Sequence, residues 1–353
     1  NPERRDLAVE RAAVPPAGLI GGRSAQRLGL AAKSSGTVAV DVRAVALGSH
    51  EWPPVPVRVR GPLSLAWWSR RLRVDGVLRV APDTLGPRAA AVASAEGGST
   101  NQTALGGGRE LHHLRAYRPG DPRHTIDWKA TARSSRLVTR IYTEDQHLEV
   151  MLLVDAGRTG RTELDGMQQF GHYANLAARF AELCVASDDQ VGLIAFADRP
   201  LVTLGPARGL EAVVGIREAL TRVAAQAVES DALGAAVHVR RLVRHRCLVV
   251  IMTDLYERSA TSQLAQAARL LVPKHLPMIV GLVGEEVAEL AERGAEDWLD
   301  PYRSLAAREY RRQVEGNVAR LTRLGAYALT ARPRELDRKV LHDFRMLRAQ
   351  RRI

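Results

Sequence analysis

The oxygen chemistry of this chain is concentrated in Asp155, Thr159, Ser230, Asp231 and Asp254. Asp155 ends the apolar run Leu148–Val154, which Glu149 alone interrupts, and Asp254 follows the run Cys247–Met252 by way of Thr253. Ser230-Asp231 lies between the two in chain order. Carboxylates and hydroxyls converging from three loops would suit a hard cation such as Mg²⁺, with water filling the open positions. The competing reading is that each acid caps the helix that follows it. Gly157 brings no oxygen to the first loop, which weighs toward caps and toward a cofactor that is absent or a weakly bound Mg²⁺.

The elements that would position these residues can be read from the apolar pattern. A short, nearly continuous apolar run backed by turn residues reads as a strand buried on both faces of a parallel sheet. After the strand ending at Asp155, the residues Leu176, Ala177, Phe180, Ala181, Cys184 and Val185 form a helical stripe. Strands are predicted at Val191–Phe196, Leu201–Leu204, Cys247–Met252, Met278–Val283 and Ala326–Thr330, with helices near Gly209–Val223, Ala232–Arg244 and Leu305–Leu324. Such alternation predicts a doubly wound, mostly parallel α/β sheet over 148–332. An amphipathic, Arg-rich helix follows over 333–353, with Leu336, Val340, Phe344 and Leu347 on its apolar side. Ligands of open α/β sheets bind beyond the carboxyl ends of the strands, which is where Asp155 and Asp254 fall.

Upstream the pattern changes. Val38, Val40 and Val42, then Val55, Val57 and Val59, alternate with other residues between Gly- and Pro-rich turns, which predicts an all-β sandwich over 1–82. Trp52, Trp67 and Trp68 are expected to pack in its core or against the next domain. An Ala-, Gly- and Ser-rich flexible linker is expected over 83–108. It contains the formal sequon Asn101-Gln102-Thr103, which has no meaning without secretion. The segment 109–147 is dense in Arg115, Tyr117, Pro119, Gly120, Asp121, Arg123, Asp127, Trp128, Lys129 and Arg133. That mixture suits bidentate ion pairs and cation–π stacking, contacts to nucleic-acid phosphates and bases, or a structural belt joining the two domains.

The 353 residues allow two domains, and 46% apolar with 25% charged residues is a globular composition. A net charge of +12 and a pI near 10.4 point to an acidic partner, an anionic membrane surface or nucleic acid. Cys184 and Cys247 have no metal-ligand spacing, and suggest a reducing compartment. No apolar stretch reaches the roughly 20 residues of a membrane helix. The chain opens at Asn1 and not at Met, so the expectation is a soluble piece of a longer protein. Gly-x-Ser-x-Gly, His-Glu-x-x-His and P-loop patterns are absent, which removes the common hydrolases. The enzyme alternative is a haloacid-dehalogenase-like phosphatase, since Asp155-x-Gly157-x-Thr159 is similar to the Asp-x-Asp-x-Thr opening of that class. Gly157 stands in the general-acid position, where no proton can be transferred. Nucleic-acid binding is the third class, motivated by net charge, by residues 115–140 and by Arg240, Arg241, Arg244 and Arg246. A basic surface facing an anionic inner leaflet explains the same charge more simply.

From Leu148 onward, the order of elements resembles a von Willebrand factor A domain. In that family Asp-x-Ser-x-Ser, a Thr of a second loop and an Asp of a third hold Mg²⁺ or Mn²⁺. The resemblance carries over to Asp155, to Thr159 in place of the second Ser, and to Asp254, with Ser230 or Asp231 standing in for the Thr and Gly157 replacing the first Ser. The segments Arg115-Ala-Tyr-Arg-Pro-Gly-Asp121 and Ile126-Asp-Trp-Lys-Ala-Thr-Ala-Arg133, with the strand after them, resemble the bacterial family called domain of unknown function 58. Where that pattern usually has Arg, this chain has His124, with Arg123 one step earlier. The resemblance implies two upstream membrane helices, a position on the cytoplasmic face of the bacterial inner membrane, and a non-enzymatic adaptor role. The implied partners are a MoxR-type AAA+ ATPase and a client, in maturation or envelope processes. Arg4-Arg5 would fit a cytoplasmic flank. Asp155 and Asp254 are then expected on a docking surface, not in a catalytic centre.

Overall fold

A computed structural model describes residues 7–12, 14–21, 25–61, 65–85, 104–106, 110–144, 148–292 and 297–350. Its centre is β12 (Glu149–Asp155), in chain order the twelfth of the strands considered below. The flanking strands are β15 (Gln190–Phe196), β16 (Pro200–Ala207), β17 (Leu248–Met252), β18 (Leu276–Leu282) and β19 (Tyr327–Ala331). They form one sheet in the order β16-β15-β12-β17-β18-β19. All its pairings are parallel except that of the edge strand β16, which runs antiparallel to β15. This is the doubly wound order with the switch point beside β12, so the mostly parallel α/β domain expected from the sequence is present.

Helices cover both faces. Val150, Leu152 and Val154 face α2 (Gln169–Ala186) and α8 (Leu336–Ala349), in a core with Phe170, Tyr173, Phe180 and Phe344. Met151 and Leu153 face the other way, toward α4 (Ala232–Leu242), α5 (Arg258–Leu271) and α7 (Asp300–Arg323). Side chains alternate along a strand, so a strand buried on both faces must be apolar at every position. The remaining helices are α1 (Trp128–Ser134), α3 (Gly209–Arg222) and α6 (Glu285–Glu292). The Arg-rich C-terminal helix is a wall of this core. Phe344 meets Phe180 at 4.7 Å between centroids, and Arg348 pairs with the fully buried Asp189. No helix among the described residues is long and apolar enough to cross a membrane.

The N-terminal part is β structure, but a sandwich with its own core is not found among the described residues. Strands β1 (Leu7–Ala12), β3 (Ala25–Leu30), β6 (Val55–Arg60) and β7 (Trp67–Leu72) form an antiparallel sheet in the order β3-β1-β6-β7. Two further pairs join β2 (Leu19–Gly21) to β4 (Val42–Ala44) and β5 (Gly48–Glu51) to β8 (Val77–Val80). The buried aliphatic side chains described here are Leu19, Val45, Leu47 and Val55, and Leu47 belongs to the α/β core. These pairs lean on the larger domain. The amide of Gln168 donates to the Val45 carbonyl (2.8 Å) and Arg43 donates to that of Asp165 (3.1 Å). Trp67 and Trp68, expected to pack inside, are 43% and 55% exposed because β7 is an edge with nothing described beyond it. Trp52 is half-buried.

Both ends of the stretch read as a linker enter structure. Asp83 pairs with Arg179 at 2.6 Å, and the Leu85 amide donates to Glu182 of α2. Ala104–Gly106 forms β9, which pairs with β11 (Val138–Glu144), itself paired with β10 (Glu110–Ala116). The rest of that stretch, including the sequon at Asn101, lies outside the described residues, as do Arg4-Arg5. Short strands β13 (Glu163–Leu164) and β14 (Met167–Gln168) form a hairpin before α2.

Candidate functional site

Asp155 sits at the carboxyl end of β12, only 2% exposed, with three protein donors on its carboxylate. One oxygen, Oδ1, accepts from the Gly157 amide at 2.8 Å and from the Ser230 hydroxyl. The other, Oδ2, accepts from the Thr253 hydroxyl at 2.5 Å. Burial pushes this carboxyl above the ordinary range; the hydroxyls of Ser230 and Thr253 oppose that shift, and the charge of Glu257 adds to it. Burial likewise raises Asp254, which accepts from the Glu257 amide at 3.2 Å.

Gly157 is required by its neighbour. A Cβ built there would come within 2.0 Å of Ser230 Oγ. The backbone dihedrals of Gly157, φ −81° and ψ −162°, are open to any residue, so the restriction is steric and not conformational. Ser230 therefore fills the space that a side chain at 157 would take, and supplies a hydroxyl to Asp155 from the second loop. Backbone bonds hold that loop in place: the Gln226 amide donates to Ala156 (2.7 Å), that of Arg158 to Val228 (2.8 Å) and that of Asp231 to Ala197 (2.7 Å). Asp231 itself is the N-cap of α4, accepting from the Gly234 amide at 2.8 Å. Thr159 lies in a 3-10 turn, Arg158–Arg161, and lines a cleft beside Asp254.

The sequence reading thus splits. The structure brings Asp155 and Ser230 together beneath the sheet edge, sets Asp254 and Thr159 on the cleft, and spends Asp231 on a helix. Gly157 offers no oxygen and the Asp155 carboxylate already accepts three hydrogen bonds, so the donor set lacks a hydroxyl of the site that the resemblance implies. Among the described residues, no three His, Cys, Asp or Glu side chains cluster in a metal-holding arrangement.

The cleft has a volume of about 570 Å³. At its mouth Arg158 pairs with Glu229 (3.1 Å) and with Glu257, and Tyr310 on its wall stacks on Tyr256 at 4.4 Å. Behind it, the buried Tyr173 hydroxyl donates to the Thr253 carbonyl (2.8 Å) and accepts from Gln169 and the Leu282 amide. That bridge ties the ends of β17 and β18 to α2. Sequence reasoning missed Arg158, Glu257, Tyr173 and Tyr310. Arg158, inside the first loop, and Glu257, three residues after Asp254, were the available signals.

In the segment 109–147, Asp121 and Asp127 are used internally. Asp121 accepts from Arg115 (2.7 Å), from the Arg118 amide (2.9 Å) and from Thr139. Its turn, Pro119-Gly120-Asp121, uses the positive φ of Gly120. Asp127 caps α1 through the Ala130 amide and pairs with Arg140 at 2.9 Å. That guanidinium, with the helix amides, holds the Asp127 carboxyl down at about 2. Tyr117 is tied by its amide to the Leu137 carbonyl, while Arg123, Trp128, Lys129 and Arg133 are exposed.

A doubly wound α/β domain with an oxygen-lined but hydroxyl-satisfied sheet edge, preceded by this ion-paired segment, is the class defined by fold and site. Residues 113–313 match the family described as Protein of unknown function DUF58. That is more than half of the chain, and the chain belongs to this family, with a von Willebrand factor A-like α/β domain. No curated protein matches it significantly. Among solved structures, it is similar to proximal thread matrix protein 1 from the mussel byssus (13% identity, 55% of this chain and 45% of that one, TM-score 0.37). It is also similar to a von Willebrand factor type A protein from Catenulispora acidiphila (15%, 60% and 43%, TM-score 0.36). A third is the conserved hypothetical protein BatB from Bacteroides thetaiotaomicron (13%, 57% and 98%, TM-score 0.39). The chain spans less than half the length of the first two. The fold assignment rests on the strand order and the family match.

Proposed function

We propose that the cleft beside Asp254 is a protein-docking site and that the chain is a non-enzymatic adaptor. One observation carries this reading: the acid best placed for chemistry, Asp155, is held by Gly157, Ser230 and Thr253, while the groups lining the cleft are those of a recognition surface. A phosphatase of the haloacid-dehalogenase kind needs a free nucleophilic carboxylate and a second acid two residues on, and Gly157 cannot be that acid. Arg158, Asp254 and Glu257 instead offer charge-assisted contacts, and Tyr310 an aromatic wall. The site works without a tightly bound metal ion, since the hydroxyls of Ser230 and Thr253 do for Asp155 what a cation does in the complete site. The partner implied by the family resemblance is a MoxR-type AAA+ ATPase, with the chain held at the cytoplasmic face of the inner membrane by segments outside it. Nucleic acid is not needed to explain the basic charge.

The test is the affinity of the purified chain for the MoxR-type ATPase encoded beside it. Arg158→Ala and Asp254→Asn should each weaken binding about tenfold or more, as loss of a desolvated charged contact does, with Tm nearly unchanged. Unaltered affinity in both variants would remove the cleft from the interface.

A further inference from the structure

The sheet β3-β1-β6-β7 ends on a strand whose six residues, Trp67–Leu72, are all exposed, and exposure continues through Arg79. Between Leu65 and Leu78 lie seven large apolar side chains that are at least 41% exposed. The sequence 55–80 interleaves them with Arg58, Arg60, Arg70, Arg71, Arg73 and Arg79 against the single acid Asp75. Exposed apolar side chains concentrated in one short stretch mark an interaction surface, and the arginines state its charge preference.

The two indoles are held in place. Adjacent residues of a strand point to opposite faces, so Trp67 and Trp68 flank the edge on either side. Trp67 carries the Arg60 guanidinium 5.9 Å from its ring centroid. Trp68 lies over Gly61, where a Cβ would come within 2.2 Å of the ring. Register places Arg60 opposite Trp67 and Arg58 opposite Ser69, on the face that also bears Arg71. Glu10, the acid of that face, is already paired with Arg27 at 3.1 Å.

We infer that this edge rests on an anionic lipid surface, with the indoles at headgroup level and the arginines on lipid phosphates. Tryptophan has an apolar body and a polar N–H, which suits it to the membrane–water boundary. Arginine lays its aliphatic stem on apolar surface while its head reaches a phosphate. Basic side chains near an anionic leaflet add to the attraction one by one. The charged Arg70 and Arg71 on this edge strand disfavour its pairing with a second copy. This inference is independent of the cleft and of the ATPase.

The test is co-sedimentation of the purified full chain with vesicles of phosphatidylcholine alone, or with about one third phosphatidylglycerol, where each lipid-facing arginine adds a measurable increment. The chain should bind the second and not the first. Trp67→Ser with Trp68→Ser, and separately Arg70→Ser with Arg71→Ser, should each weaken binding by about tenfold or more, with unchanged circular dichroism. Equal binding to both vesicles, no binding, or binding indifferent to the tryptophan pair would overturn the inference. So would a dimer in sedimentation velocity that the tryptophan pair abolishes, which would give the edge to a second copy.

Discussion

Replacing Gly157 with Ser restores the hydroxyl that the first loop lacks, and it should destabilise the protein. The new Cβ would meet Ser230 Oγ at 2.0 Å, the Val228 carbonyl at 3.0 Å and Asp155 Oδ1 at 3.1 Å. Backbone strain contributes nothing, since φ is −81°. Ser230 must therefore swing away, breaking its hydrogen bond to a buried carboxylate, a loss of about 1.5–3 kcal/mol. With residual crowding against Val228, the total is about 2–4 kcal/mol. For a domain of this size, that lowers Tm by roughly 5–10 °C. Ser230→Ala alone loses that bond without the crowding and should cost about 1.5–3 kcal/mol. In the double variant the new hydroxyl can take the vacated place on Asp155, so the two changes should offset by about 1–3 kcal/mol. Urea unfolding of the four proteins of this cycle gives the coupling directly. A neutral Gly157→Ser, or two effects that simply add, would refute the claim that Ser230 stands in for a side chain at 157.

Two further outcomes follow from the same structure. Titration of the chain with Mg²⁺ by calorimetry should show no binding tighter than millimolar, because Asp155 is already satisfied; micromolar affinity lost in Asp155→Ala would show the donor set to be competent. His275 is 3% exposed, has Nδ1 at 3.2 Å from Cys247 Sγ, and has no hydrogen-bond partner for its buried Nε2. Burial, then Lys274 and Arg240, lower its pKa below the ordinary 6.5. The unfolded chain thus takes up this proton first, so stability is intact above 6.5 and falls as pH drops toward the folded value. Urea unfolding a unit above and a unit below that point should show the loss in the native chain and a smaller one in His275→Gln; equal losses would exclude His275 as the cause.

The α/β domain is legible in the sequence because its strands are buried on both faces. Val150–Val154 and Leu248–Met252 cannot be read as anything half-solvated, and the stripe Leu176–Cys184 has a period that suits one helix. Asp155 and Asp254 are legible as strand-end acids. The contacts among loop residues are not: nothing in the spacing says that Ser230 reaches Asp155 while its neighbour Asp231 turns away to cap α4. That division depends on a loop pinned by backbone bonds to Ala156 and Ala197. The N-terminal reading holds only as far as its strands, for a related reason. Period-two patterning identifies strands without identifying what covers them, and Trp67 and Trp68 stand on an edge whose exposure only the sheet order reveals.

The central claim, that a partner docks at the cleft, is tested most directly by site-specific photo-crosslinking. A benzophenone amino acid replaces Tyr256, 40% exposed and stacked on Tyr310, and in a second protein it replaces the exposed Arg244, before the start of β17 at the opposite end of the sheet. On illumination with the MoxR-type ATPase, the account predicts a crosslinked adduct from position 256 and none from 244. Adducts from 244 and none from 256 would contradict it.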